Sequence, residues 1–134
     1  MKIQHVDANY VHQLWPKVQE YIIAALDYQN DYTVDHVKMY LTSGQWVLIV
    51  AIEDDGFIHG ATAVNFYNRP SDRVAFIVAM GGKLITNQDT YLQFSDLLKA
   101  FGATCIEGAA RESAARLWAR YGLSEKYRIV GAKL

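Results

Sequence analysis

The stretch VAFIVAMGGKLITNQDTYLQFSDLL, residues 74–98, carries the most chemical information in the chain. An apolar strand pattern runs into Gly81 and Gly82, then into a polar loop and a helical pattern. Strand, glycines and helix start form an arrangement suited to phosphate. Glycines let the backbone approach closely, and a helix N-terminus presents unpaired N–H groups. The loop itself pulls the other way. Leu84, Ile85, Thr86 and Asn87 put no glycine in the loop itself, and Asp89 puts a carboxylate on the helix end that would attract an anion. Thr86 with Asp89 three residues on reads as a capping box that closes the helix start on itself. A second candidate is Glu107 in CIEGAA. Walled by Ile and Ala, this carboxylate is expected to have a raised pKa, suited to taking a proton from an ammonium. The alternative pairs it with a neighbouring Arg or backbone donor.

Other chemistries find little support. His5, His12 and His36 are scattered without acidic or Cys partners at metal-ligand spacing, and His59 follows the EDDGFI turn, so no metal site is expected. No Gly-x-Ser-x-Gly motif and no Cys–His pairing is present. Thirteen basic residues against fourteen acidic ones, with no basic block, argue against a nucleic-acid groove. The run WVLIVAI is too short to cross a bilayer, and the N-terminus lacks the charged-apolar-cleavage pattern of a signal peptide. Cys105 is alone and reads as a small core residue.

The elements that must position these residues follow from periodicity. MKIQHV reads as a short strand. Val11, Leu14, Trp15, Val18, Tyr21, Ile22, Ala25 and Leu26 recur at three and four, a helical stripe that Pro16 kinks or shortens. Thr33 caps a second helix that Gly44 ends. QWVLIVAI, FIHGATAVNFY and RVAFIVAM form a meander through turns at EDDG and NRPSD. A helix from about Thr90 to Phe101, the strand ATCIEGAA, a helix RESAARLWARYG and a last strand KYRIVGAKL complete one domain over residues 1–134. The unit at residues 74–109 is expected to bring two parallel strands together by a right-handed crossover. The expected fold class is α/β (α+β), a mixed, mostly antiparallel sheet in the order β-α-α-β-β-β-α-β-α-β.

That order resembles the GNAT superfamily of N-acetyltransferases over nearly the whole chain. WVLIVAIEDDGFIHGATAVNFY looks like the superfamily's second and third strands, and ESAARLWARYGL resembles its helix after the fifth strand. More narrowly, LWPKVQEYIIAAL, YTVDHVKMYLTSGQWVLIVA and the Gly pair are similar to GNAT-like proteins encoded among bacteriophage and prophage structural genes. The resemblance implies acetyl-CoA as cofactor, its diphosphate held at the loop before the third helix. It also implies a Tyr as general acid at the place taken here by Trp118, with Tyr121 one turn on as substitute. The indole N–H of Trp118 cannot protonate a thiolate.

Two readings result. In the first, the cofactor site is degenerate and no cofactor is expected. The protein then acts by binding protein, as a virion component, assembly factor or modulator of a host protein, in the virion or host cytoplasm. Its partner is a phage structural or host protein or a further copy of itself. The short C-terminus supports this by leaving a sheet edge that needs cover, and Tyr28, Tyr32 and Tyr67 would suit such a surface if exposed. In the second, the chain is an acetyl-CoA-dependent N-acetyltransferase. The amides of Ala79, Met80, Gly81, Gly82 and Lys83, with Arg111, hold the cofactor; Glu107 is the base, and Tyr121 or water the acid. Neither reading includes nucleic acid or membrane as partner.

Overall fold

The computed structural model describes residues 1–26 and 31–134, so the expectation for Tyr28 lies outside the described residues. The elements run β1 (Lys2–Val6), α1 (Ala8–Leu26), α2 (Val34–Thr42), β2 (Val47–Ile52), β3 (Ile58–Asn68), β4 (Arg73–Gly82), α3 (Gln88–Ala100), β5 (Cys105–Gly108) and α4 (Glu112–Ala119). The five strands lie side by side in sequence order. The first four are antiparallel, and β5 joins β4 in parallel, as the crossover through α3 requires. The expected mixed α+β class is what forms.

Each face of the sheet carries its own core. On one, Val11, Trp15, Val18 and Ile22 of α1 and Val37 and Leu41 of α2 pack on Leu48, Val50, Ala61 and Ala79. On the other, Phe94 and Leu98 of α3 pack on Ile3, Ile49, Val64 and Ile77. The three-and-four stripe of α1 is what makes it lie flat on a sheet. The helix runs through Pro16 from Ala8 rather than starting there. Helix α3 also reaches β1 at the far edge of the sheet, where the Ile3 amide donates to Gln93 Oε1 at 2.9 Å. Thr33 caps α2 as expected, its hydroxyl accepting from the His36 amide.

Two expectations fail. KYRIVGAKL forms no strand: residues 123–134 are irregular, and Tyr127, Ile129 and Val130 are exposed. A strand needs a ladder, and the segment does not reach one. Tyr32 and Tyr67 are half-buried rather than displayed. Tyr32 packs edge-on against Trp46, and the Tyr67 hydroxyl accepts from Arg69.

The register between β3 and β4 contains one irregularity. Ala63 faces Ala79 and Val64 faces Ile77, so Val78 is an extra residue on β4. A bulge of this kind breaks the alternation of side chains. Val78 and Ala79 accordingly both face α1, while Ile77 and Met80 face α3.

Beyond the bulge, β4 ends on Gly81 and Gly82 beneath α1. A Cβ on Gly81 would lie 1.9 Å from the Tyr21 carbonyl oxygen. On Gly82, whose φ is +73°, it would lie 2.4 Å from the His59 carbonyl oxygen and 2.6 Å from the Tyr21 ring. Tyr21 fixes this approach by donating from its hydroxyl to the Ile58 carbonyl at 2.7 Å. The glycine pair therefore admits the backbone of a helix. Gly81→Ala is expected to destabilise the fold by about 1–3 kcal/mol, because the obstructing atoms are backbone. Gly131→Ala, with nothing within 4 Å, should be neutral. Urea denaturation of the two variants checks the contrast.

Candidate functional site

The site grows from the bulge. Pairing between β4 and β5 runs from Val74–Cys105 to Ile77–Gly108 and stops there, while β4 continues to Gly82. Two parallel strands thus part at Ile77 and Gly108, and the fork opens toward the start of α3. Trp118 of α4 sits over it: a methyl group built on Gly108 would lie 3.2 Å from the indole. Ile77, Ile85, Phe94, Ile106, Trp118 and Tyr121 close around an apolar cavity of about 10 Å³, barely the volume one water needs. Tyr91 of α3 stacks on Tyr121 at 5.2 Å with the rings 12° apart, across the mouth between α3 and α4.

The loop into α3 is self-capped, but in a different register from the expected Thr86–Asp89 box. Asn87 is the N-cap. Its side chain accepts from the Thr90 amide at 2.9 Å, and the Thr90 hydroxyl accepts from the amides of Thr86 and Asn87. Asp89 turns along the helix and accepts from Gln93 Nε2. Asn87 takes the cap place expected of Thr86, and buried Thr90 takes the third-residue place expected of the exposed Asp89. This box satisfies three amides. Those of Gln88 and Asp89, at the first turn of the helix, have no acceptor among the described residues. They point where a helix dipole favours an anion.

The expected phosphate-binding amides lie elsewhere. Lys83 donates its amide to the His59 carbonyl at 2.8 Å, Ala79 accepts the Thr62 hydroxyl on its carbonyl, and Met80 faces Thr62 in the β3 ladder. Gly81 and Gly82 are covered by Tyr21. The exposed side chain of Lys83 remains at the loop start. Arg111 is exposed at the N-cap of α4.

Glu107 departs from expectation in charge. Its side chain is only 8% exposed, yet it meets two cations. Arg69 grips both carboxylate oxygens, donating from Nη1 to Oε2 at 2.7 Å and from Nη2 to Oε1. Lys126 donates to Oε2 at 2.6 Å. These bonds hold the Glu107 pKa below its ordinary value, against burial, which pushes the other way. The apolar neighbours in sequence suggested a raised pKa. Arg69, in the turn between β3 and β4, reverses it through a bidentate bond whose partners are 38 residues apart. The paired alternative is the one that forms. In return the guanidinium of Arg69 and the ammonium of Lys126 are held above their usual pKa values by Glu107. Arg69, Lys126 and Tyr91 were not singled out in the sequence. Arg69 stood in a turn and Lys126 in an expected strand, where a cation reads as solvated.

Among the described residues, no three His, Cys, Asp or Glu side chains gather as a metal site would need. No described helix is long and apolar enough to cross a membrane.

No family profile matches the sequence, and no curated protein matches it. Solved structures do. A probable acetyltransferase superposes over all of this chain and 97% of its own, with TM-score 0.69 and 11% identity. The ribosomal-protein-alanine N-acetyltransferase of Brucella melitensis biovar Abortus 2308 matches over 100% of both chains, with TM-score 0.68 and 11% identity. An aminoglycoside acetyltransferase from an uncultured soil metagenomic sample covers 99% of this chain and 94% of its own, with TM-score 0.68 and 11% identity. The chain therefore has the GNAT fold of the acetyltransferases. None of these likenesses bears on a bacteriophage origin or a virion role.

The ionised state of Glu107 has a measurable consequence. Its pKa is lower folded than unfolded, so its bridges contribute fully above the unfolded value of about 4.5. The contribution is lost as pH falls through the depressed folded value. Urea midpoints are expected to drop from about pH 4.5 downward, and Glu107→Gln should flatten that part of the profile while lowering stability at pH 7.

Proposed function

We propose that this protein is an acetyl-CoA-dependent N-acetyltransferase acting on a small amine or a protein amine. The observation that carries the reading is the fork at Ile77 and Gly108, set above a helix start with two unpartnered amides, in a chain that superposes over its whole length on acetyltransferases. When bound, acetyl-CoA supplies the acetyl thioester. The donor set fits its diphosphate: the amides of Gln88 and Asp89, the positive end of α3, and the Lys83 ammonium. Arg111 stands exposed at the N-cap of α4. The cradle thus shifts from residues 79–83 to the first turn of α3.

Tyr121 lines the cavity at the fork and carries a proton that a leaving thiolate can take. Glu107, neutralised by Arg69 and Lys126, is a weak base. It holds β5 and the tail in place rather than drawing a proton from the amine. The second reading, a protein-binding role, is favoured by the exposed apolar side chains of the tail.

Thermal denaturation with acetyl-CoA separates the two readings. At a hundred times its dissociation constant the ligand adds about 2.7 kcal/mol of stability. Gln88→Pro removes one of the free amides at a position where proline suits a helix and where Asn87 already has extended backbone. This variant should weaken acetyl-CoA by roughly ten- to a hundredfold. Tyr121→Phe should keep the binding and lower kcat by about 10²–10⁴-fold. If acetyl-CoA leaves the melting temperature of the wild type unchanged, the acetyltransferase reading fails.

A further inference from the structure

We propose that Gln93 is a positioning residue for the anion site at the start of α3, holding the Asp89 carboxylate off the two free amides there. The proposal rests on the acetyl-CoA reading of that helix start and adds the device that keeps the start open. A conflict is built into the sequence of α3. Asp89 places a carboxylate in its first turn, beside the amides of Gln88 and Asp89 that have no acceptor among the described residues. An Asp side chain accepts readily from backbone N–H groups near it. Turned toward the helix start, this carboxylate would occupy the donors that a diphosphate needs and repel the diphosphate as well. The helix would then be its own ligand.

The conflict is resolved one turn along. Asp89 and Gln93 are four residues apart and so share a face of the helix. Gln93 Nε2 donates to Asp89 Oδ2 at 2.9 Å. Gln93 is the one hydrogen-bond partner of the Asp89 carboxylate among the described residues. The carboxylate therefore lies along the helix, away from the end that attracts anions.

Gln93 can do this because it is anchored elsewhere. Its Oε1 accepts from the Ile3 amide at 2.9 Å, and Nε2 donates to the Met1 carbonyl at 3.3 Å. β1 is an edge strand, with no strand beyond it among the described residues, so its outer backbone groups are open to a side chain. A primary amide has two N–H donors on one end and an acceptor on the other. One orientation alone satisfies all three contacts. Flipped, the amide would set Nε2 against the Ile3 N–H and Oε1 against both the Met1 carbonyl and the Asp89 carboxylate. The Ile3 amide thus dictates that the donor end faces Asp89. A Glu here would present oxygen to oxygen, and a Met would have no N–H to offer. The edge of the sheet sets the direction of a carboxylate at the helix start.

The test is a double-variant cycle read by titration calorimetry on the full chain, with inorganic pyrophosphate and acetyl-CoA as separate probes. Gln93→Met removes the donor without changing charge and suits a helix. It should weaken both probes by about three- to tenfold. Asp89→Ala alone should change them by less than about twofold, because the charge it removes is already held away. Added to Gln93→Met, Asp89→Ala should restore wild-type affinity. A merely structural role gives no such rescue: both Gln93 variants lack the bonds to Met1 and Ile3, so a loosened β1 would leave the double variant as weak as the single. Additive effects overturn the proposal. So does a Gln93→Met variant that binds as tightly as wild type, and so does a wild type that takes neither probe. Pyrophosphate binding with the expected rescue, but without acetyl-CoA binding, supports the proposal and sinks the catalytic reading alone. Acetyl-CoA binding with additive effects does the reverse.

Discussion

One extra residue shapes the site. β4 carries Val78 as an insertion between the pairs Ala63–Ala79 and Val64–Ile77, and its pairing with β5 ends at the residue before it. The bulge falls where the parallel pairing stops, one residue past Ile77. With it, two parallel strands share four pairs and then separate. The cost of a bulge is a broken ladder. Here it is offset by burial: Val78 and Ala79 both pack on α1, and the Thr62 hydroxyl satisfies the Ala79 carbonyl.

The same bend explains the glycine pair. Once β4 swings past the fork it runs under α1, and the close passage of Tyr21 leaves no space for a Cβ at either position. A sequence motif that looked like an anion cradle is thus the contact that seats helix on strand. The anion-binding capacity moves along the chain, to a helix start whose capping box covers three amides and leaves two. Capping and ligand binding compete for the same donors. What decides between them is how many amides the cap uses, and the count here favours both.

Sequence patterning made the architecture legible, because β2, β3 and β4 are apolar runs bounded by turn residues and α1 keeps its three-and-four stripe over nineteen residues. The site was less legible, for physical reasons. Glu107 was nominated correctly as a buried carboxylate, but its partners come from a turn and from the tail, and no local rule brings them together. The capping box moved one residue along, from Thr86 and Asp89 to Asn87 and Thr90, where Thr90 is buried beneath α3. The last strand was misread because KYRIVGAKL has strand composition. Composition describes what a segment suits, whereas a strand exists only when a neighbour supplies its hydrogen bonds.

The chain after Cys105 is built differently from the rest. β5 has four residues, α4 has eight and buries none of them completely, and the tail hangs on one bridge. The first four strands, by contrast, are sandwiched between two helical layers. Regions with few buried apolar contacts open at low free energy, and binding elements are drawn from them. The indole of Trp118, which fills the fork, is carried by this loosely held helix. On the proposed reading, a ligand arm between β4 and β5 would displace only that ring and part the Tyr91–Tyr121 stack, leaving both cores intact. The donors at α3 then belong to the rigid half of the molecule, and the elements that give way to the ligand belong to the loosely held half.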